Sequence, residues 1–162
     1  MSTSHVITVS DRVSRGERED LSGPAAVELL EAAGHDVTTS VVPDGAAEVE
    51  TVLRAALAAG HRLVVTTGGT GVTPRDRTPE GTAPVLDREV PGLAELLRAE
   101  GARQTPFAAI SRGLVGVVDA TPDHPGALVL NLPGSAAGVR QGLEIVLPLV
   151  DHVLDQLAGG DH

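Results

Sequence analysis

The sequence predicts an α/β protein with a mainly parallel sheet and helices on both of its faces. Short segments rich in β-branched residues alternate with longer segments rich in Ala and Leu, which is typical of that class. Gly and Pro stand at the junctions of these segments, where strands and helices end. Because the 162 residues contain neither an internal repeat nor a linker rich in Gly, Pro or Ser, we expect one domain over residues 1–162.

The first half of the chain predicts strands at residues 5–9, 37–42 and 63–67, separated by two helices. The first helix opens at Gly23-Pro24 and is closed by Gly34, since Pro favours the first turn of a helix and Gly the position after its end. The second helix carries an apolar stripe at helical spacing, formed by Val49, Val52, Leu53, Ala56 and Leu57. The polar residues 13–22 are predicted to be a loop.

The second half of the chain predicts further helices and two more strands. Thr78-Pro79 resembles an N-cap followed by Pro at the first helical position, and another helix follows Pro91-Gly92. Strands are predicted at residues 114–119 and 127–132. The carboxy-terminal helix starts at residues 133–135, and Pro148 is expected to kink or split it because Pro cannot donate the helical hydrogen bond.

Composition excludes several classes of function. A net charge of −10 argues against binding to nucleic acid or to an anionic membrane surface, both of which require clustered positive charge. The chain has no Cys and no Lys, which removes thiolate and Schiff-base chemistry, Cys-based zinc sites and the phosphate-binding Lys of a Walker A loop. The amino terminus lacks the pattern of a signal peptide and no long apolar run is present, so we expect a cytoplasmic protein.

The candidate site follows from what stands after each predicted strand, because ligands of open α/β sheets bind beyond the carboxyl ends of the strands. Small, hydroxyl and carboxylate groups stand at several of these ends. They are Ser10 and Asp11 after the first strand, Asp44 after the second, Gly68, Gly69, Thr70 and Gly71 after the third, and Pro133, Gly134 and Ser135 after the last. Together these groups predict a site for phosphate and a metal ion.

The glycine-rich segment 68–71 is open to two interpretations. Its backbone N–H groups could converge on an anion, or it could be a tight strand-to-helix turn without a ligand. Pro74 stands where a dinucleotide fingerprint needs its third Gly, and no Gly-Lys-Ser/Thr follows, so neither common phosphate motif is matched. The following residues 75–77, Arg-Asp-Arg, could hold phosphates and a metal-bound carboxylate or form a solvated salt bridge. Asp44 and Ser135 could likewise be helix caps.

Several motifs of the chain resemble those of a known family. Residues 66–80, TTGGTGVTPRDRTPE, resemble the signature of the molybdopterin-binding, MoaB/Mog-type family. Shorter matches follow in the family's order, at residues 20–24 (DLSGP), 42–44 (VPD), 91–98 (PGLAELLR), 111–116 (SRGLVG) and 131–135 (NLPGS). The resemblance covers residues 5–155, with departures at Leu21 and Ala136, which adjoin the expected pocket.

The resemblance implies a three-layer α/β/α sandwich, assembled as a homotrimer or hexamer. It also implies an enzyme of molybdenum cofactor biosynthesis that uses Mg²⁺ and ATP to adenylylate molybdopterin with release of pyrophosphate, with the molybdate-inserting enzyme as a candidate partner. Asp44 and Asp76 would be the catalytic and Mg²⁺-binding residues. The glycine loop with Thr70 would hold phosphate, Ser10, Asp11 and Ser135 would line the pocket, and Arg75 and Arg112 would be candidate phosphate contacts. The alternative is a non-catalytic module that binds molybdopterin or a nucleotide.

Overall fold

A computed structural model describes residues 2–161, so Met1 and His162 of the predicted domain lie outside the described residues. The strands are β1 (Thr3–Val9), β2 (Asp36–Val42), β3 (Leu63–Thr67), β4 (Arg88–Glu89), β5 (Val115–Val118) and β6 (Ala127–Leu132). The helices are α1 (Asp11–Ser14), α2 (Ser22–Ala32), α3 (Ala46–Ala58), α4 (Thr78–Thr82), α5 (Pro91–Gln104) and α6 (Ala136–Leu157). Two short 3₁₀ segments, Ala83–Val85 and Pro106–Ile110, follow α4 and α5.

The strands form one sheet in the order β2-β1-β3-β6-β5-β4. β1 pairs in parallel with β2 and β3, and β3 pairs in parallel with β6. β5 runs antiparallel to both of its neighbours, so it alone among the described strands points the other way. The predicted mainly parallel sheet is therefore confirmed. The edge strand β4 was not predicted, because its exposed residues Arg88 and Glu89 carry no apolar pattern.

The sheet is covered on both faces, as predicted. Alternate residues of the central strands point to opposite sides. Leu63, Val65 and Leu130 pack with residues of α2, α5 and α6, whereas Val64 and Val129 pack with residues of α3. The result is a three-layer α/β/α sandwich with one hydrophobic core on each side of the sheet.

Two local predictions differ from the structure. Residues 11–14, which adjoin and overlap the predicted loop, form the single turn α1, and one polar turn has no apolar stripe that sequence reasoning could detect. Pro148 does not split the last helix, since α6 is continuous over its 22 residues. Pro148 and Glu144 both lie on the exposed side of α6, so the carbonyl group left without a helical partner faces solvent. None of the helices within residues 2–161 has the length and hydropathy needed to cross a bilayer.

The chain path predicts a ligand-binding crevice at the carboxyl ends of β1 and β3. From β1 the chain passes through α2 on one face to β2, and from β2 it returns through α3 on the other face to β3. The loops after β1 and β3 therefore diverge to opposite sides of the sheet. In open α/β sheets this divergence creates the ligand-binding crevice.

Candidate functional site

The glycine loop after β3 has a backbone that depends on Gly. Gly68 has φ +92 and Gly69 has φ +68, a region that side chains disfavour. A Cβ atom on Gly68 would collide with the carbonyl oxygen of Val9 in β1, and one on Gly69 would collide with Oγ1 of Thr78. The loop thus lies directly against the end of β1 and the start of α4.

The peptide groups of this loop are fixed by β6 and by Thr78. The N–H of Gly68 donates to the carbonyl of Leu132 over 3.0 Å. The fully buried Thr78 donates its hydroxyl to the Gly68 carbonyl over 2.9 Å and its N–H to the Gly69 carbonyl over 3.1 Å. The expectation that Thr78 is an N-cap is wrong, because this hydroxyl is used on the loop and Arg77 occupies the cap position.

Asp11 and Asp44 join the ends of β1 and β2. The N–H of Asp11 donates to Oδ2 of Asp44 over 3.1 Å, and the N–H of Asp44 donates to Oδ1 of Asp11 over 3.0 Å. Asp44 does not cap α3, whose cap position is Gly45 without a side-chain hydrogen bond. The capping interpretation of Asp44 is therefore replaced by this reciprocal pairing.

Electrostatics connect Asp44 to Asp76. Burial raises the pKa of Asp44, and the negative charges of Asp11 and Asp76 raise it further, while the Asp11 N–H and the charge of Arg75 oppose the rise. The carboxylates of Asp44 and Asp76 are thus close enough to interact electrostatically, and their role as metal ligands stays a prediction. Their residual negative charge favours a bound cation.

The segment after the loop carries Arg75 and Asp76. Arg75 is exposed, and its Nη1 lies 3.6 Å from Oδ2 of Asp11, so it forms an ion pair with that carboxylate. Oδ2 of Asp76 accepts hydrogen bonds from the N–H and the hydroxyl of Thr73, over 3.0 and 2.9 Å. These bonds close a turn over residues 73–76 and fix the orientation of the Asp76 carboxylate.

Arg112 approaches the same segment from the other side. Its Nε donates to the carbonyl of Gly71 and its Nη2 to the carbonyl of Asp76, both over 2.8 Å. Its Nη1 donates to Oε1 of Glu80 over 2.6 Å. The guanidinium group therefore braces the loop, and its predicted contact with phosphate stays a prediction.

The two predicted pocket serines are helix caps in this structure. Oγ of Ser10 accepts from the N–H of Val13 over 3.2 Å, and Oγ of Ser135 accepts from the N–H of Gly138 over 3.1 Å. The turn that begins at Pro133 crosses the glycine loop, since a Cβ atom on Gly134 would lie 3.5 Å from Cα of Gly68. The amino terminus of α6 therefore opens beside the loop, where a helix favours an anion.

A cleft of about 680 Å³ extends from the loop between α5, the 3₁₀ segment after it and α6. Thr70, Gly71 and Ser135 lie at the loop end of the cleft. Its walls include Leu97, Phe107, Ile110, Arg98, Ser111 and Gln141. Phe107, the only aromatic residue of the types Phe, Trp and Tyr, has 77% of its surface exposed. Sequence reasoning did not predict this cleft, because it depends on the spacing between two helices.

Sequence reasoning also missed a polar network beneath the site. Asp20 accepts from the hydroxyl of Thr8 over 2.6 Å and from the N–H of Gly23 over 2.9 Å. Ser22 and Thr67 share a buried hydrogen bond of 2.8 Å. The DLSGP motif at residues 20–24 marked this segment in the sequence, but it did not indicate that its side chains bind Thr8 of β1 and Thr67 of β3.

A second buried hub is Asn131. Its Nδ2 donates to the hydroxyls of Thr66 and Thr82, over 2.9 and 3.0 Å, and its Oδ1 accepts from the N–H of Leu114. This amide therefore ties β6 to β3, to α4 and to the segment that carries Arg112. It fixes the parts of the site relative to one another.

The carboxylates of Asp44 and Asp76 could hold Mg²⁺ only together with phosphate groups of a bound substrate and water. Within residues 2–161, no three or more His, Asp or Glu side chains are grouped so that they alone could hold a metal ion. Mg²⁺ is commonly held by one or two carboxylates together with substrate phosphates and water. Asp44 and Asp76, beside the glycine loop at which phosphate is predicted to bind, fit that pattern.

Comparisons with known proteins agree with this geometry. A molybdopterin adenylyltransferase of Pyrococcus furiosus is 41% identical over 150 residues, which are 92% of this chain and 87% of that protein. A molybdenum cofactor biosynthesis bifunctional protein of Synechococcus elongatus is 40% identical over 97% of this chain, although the chain spans only 48% of its length. Among solved structures, the molybdopterin biosynthesis enzyme MoaB of Thermus thermophilus has a TM-score of 0.86 and 47% identity, with 98% of each chain covered.

The family model described as "Probable molybdopterin binding domain" matches residues 5–152, nearly the whole chain. The resemblance predicted from the sequence motifs is thereby confirmed. The chain belongs to the family of molybdopterin-binding domains that this model describes.

Proposed function

We propose that the chain is a molybdopterin adenylyltransferase, which transfers the adenylyl group of ATP to the terminal phosphate of molybdopterin. Relatives named for that activity are 35–41% identical over most of the chain. The observation that carries the proposal is the convergence of the glycine loop with Asp11, Asp44 and Asp76 at the carboxyl end of the sheet. A phosphate-binding loop beside paired carboxylates is what a nucleotide and its cation require.

The reaction needs no nucleophile from the protein. A phosphate oxygen of molybdopterin attacks the α-phosphorus of ATP and forms a new P–O bond. The bond from that phosphorus to the oxygen that bridges to the β-phosphate breaks, and pyrophosphate leaves with the electron pair. The absence of Cys and Lys is therefore no obstacle. The protein must hold two anions in line and reduce their mutual repulsion.

Each part of the site has a role in that task. The N–H groups of the loop and the amino terminus of α6 provide donors for phosphate oxygens. Arg75 adds an exposed positive charge above Asp11. Asp44 and Asp76 would hold Mg²⁺, which when bound offsets the charge of the phosphates.

The cleft beside the loop has the dimensions of a substrate pocket. Its volume of about 680 Å³ is that of a typical site for a small organic molecule. Its apolar walls and the exposed ring of Phe107 suit a flat heterocycle such as a pterin. With its phosphate directed to the loop end of the cleft, molybdopterin would place its nucleophile beside the phosphates of ATP.

The test is an assay of pyrophosphate release with molybdopterin and Mg-ATP. Asp76→Asn should lower turnover at least about 100-fold with unchanged circular dichroism, because the charge opposite Asp44 is lost. Asp123→Asn is the matched control, since Asp123 is exposed in the turn before β6, at the opposite end of the sheet. A wild-type protein that binds both substrates without releasing pyrophosphate would instead be a non-catalytic binding module.

Assembly as a homotrimer or hexamer, a cytoplasmic location and contact with the molybdate-inserting enzyme are proposed on the family resemblance alone. Each is open to direct measurement, the first by sedimentation equilibrium.

A further inference from the structure

We propose that Arg112 is a positioning residue, paired with Glu80, that turns the carbonyl groups of the glycine loop away from the substrate and leaves its N–H groups to bind phosphate. This inference rests on the proposed function, which supplies the anion. Arg112 then stabilises the loop, and Glu80 and Arg98, which the sequence did not single out, hold Arg112 in place.

The carbonyls that Arg112 binds lie at both ends of the segment 70–76. Its backbone N–H donates to the carbonyl of Thr70, its Nε to that of Gly71 and its Nη2 to that of Asp76, each over 2.8 Å. A planar guanidinium group can serve separated acceptors at once because its N–H bonds are fixed in a fork. One residue therefore sets the orientation of peptide groups at the start and at the end of the segment 70–76.

Because of peptide geometry, binding of these carbonyls to Arg112 leaves N–H groups on the other side of the segment 70–76 free to bind an anion. In a trans peptide the C=O and N–H groups point in opposite directions, and no cis peptide occurs in the described residues. With the three carbonyls drawn to Arg112, the N–H groups of Gly71, Val72 and Arg77 point away from it. Within residues 2–161 these N–H groups have no hydrogen-bond acceptor, so they are available to phosphate oxygens.

Glu80 and Arg98 hold Arg112 in this position. Oε1 of Glu80 accepts from Nη1 of Arg112 over 2.6 Å, which completes the use of all three guanidinium nitrogens. Arg98 donates its Nη1 to the carbonyl of Gly113 over 3.0 Å and so fixes the backbone next to Arg112. The charge of Arg112 is thus partly offset by Glu80, which weakens its attraction for phosphate and stabilises its contact with the loop.

A Lys at position 112 separates positioning from direct binding. Lys retains the positive charge but presents a single ammonium group, which cannot reach the carbonyls of Gly71 and Asp76 and Glu80 together. If Arg112 bound phosphate directly, Lys would preserve much of the activity. If Arg112 acts through the loop, Arg112→Lys should behave almost as Arg112→Gln does.

The experiment compares Arg112→Lys, Arg112→Gln, Glu80→Gln and the double variant R112K/E80Q. Measurements are kcat, KM for ATP, the thermal midpoint and amide hydrogen exchange of residues 70–77 in the nucleotide-free protein. We expect both Arg112 variants to lower kcat at least about 10-fold, because the N–H groups of the loop are misplaced. The protein should remain folded, with only a small decrease in the thermal midpoint. Arg88→Lys is the control, since Arg88 pairs with Asp119 in an exposed salt bridge remote from the loop.

The coupling between the two residues gives the sharpest outcome. If Glu80 acts through Arg112, R112K/E80Q should be no slower than R112K. Exchange of the hydrogen-bonded N–H groups of Thr73 and Asp76 should accelerate in every variant except the control. Near-normal kcat in R112K, unchanged exchange, or effects of R112K and E80Q that multiply would each overturn the inference. A wild-type protein without activity would refute the proposed function, whereas the exchange rates would still decide whether Arg112 and Glu80 hold the loop.

Discussion

Replacing Gly68 by Ala tests whether the close approach of the glycine loop to β1 is needed for activity. Gly68 and Gly60 both have φ +92, but their surroundings differ. A Cβ atom on Gly68 would collide with the backbone carbonyl of Val9, whereas nothing lies within 4 Å of one on Gly60. Gly60→Ala therefore measures the cost of the dihedral angle alone, and Gly68→Ala measures that cost plus the collision.

The structure sets the size of each effect. An Ala in the left-handed region costs about 1–2 kcal/mol, which for a protein of this length lowers the thermal midpoint by about 2–8 °C. At Gly68 the loop must also retreat by about 1 Å from Val9, and forcing atoms into a packed site adds about 1–3 kcal/mol. A displacement of about 1 Å at a catalytic centre costs about 100-fold in rate.

The two variants are compared by urea unfolding and by pyrophosphate release with molybdopterin and Mg-ATP. We expect Gly60→Ala to retain normal turnover despite its lower stability, and Gly68→Ala to lose about 100-fold in turnover while it remains folded. If Gly68→Ala were as active as Gly60→Ala, the position of the loop against β1 would not matter for catalysis, and the reasoning would fail.

Three further predictions concern stability, each measured by urea unfolding. Burial, together with the charge of neighbouring His61, lowers the pKa of His5, so the folded state binds fewer protons than the unfolded state. The free energy of unfolding should therefore fall as the pH drops below about 6.5. His5→Gln should reduce this dependence of stability on pH, and part of it should remain because burial also lowers the pKa of His35. An identical dependence in His5→Gln would contradict this. Pro148→Ala should stabilise the protein by about 1–3 kcal/mol, because it restores a hydrogen bond in an exposed part of α6, and a loss of stability would show that Pro148 is needed for packing. Asn131→Leu should destabilise the protein by about 2 kcal/mol, since it removes the buried hydrogen bonds to Thr66 and Thr82 and leaves the part-buried N–H of Leu114 without an acceptor; a change under about 0.5 kcal/mol would show that these bonds are dispensable.

Sequence patterns were sufficient to predict the strands and helices that have a strong apolar pattern. The run at residues 63–67 predicted β3 with its observed bounds, because β-branched residues bounded by Gly mark a buried strand. β4 and α1 could not be found in this way, since both are short and neither carries a buried apolar residue. The effect of Pro148 was overestimated, because its exposure on α6 depends on how that helix packs.

The candidate site was predicted by a topological rule and completed by packing. The rule that ligands bind beyond parallel strand ends grouped Asp11, Asp44 and Gly68 before their contacts were known. The direction of a long side chain such as Arg112 follows from tertiary contacts, so sequence alone could not show that it braces the loop. The network around Asp20 was missed for the same reason, as Asp20 lies in the loop before α2 and its partner Thr8 lies on β1.

The most direct test of the central claim is to follow the α-phosphate of ATP. Wild-type protein is incubated with molybdopterin, Mg²⁺ and ATP radiolabelled at either the α- or the γ-phosphate, and the products are separated. We expect the α-label to appear on molybdopterin and the γ-label in pyrophosphate, with no transfer when Mg²⁺ is removed. Transfer of the γ-label to molybdopterin, or equal transfer without Mg²⁺, would contradict an adenylyl transfer organised by Asp44 and Asp76.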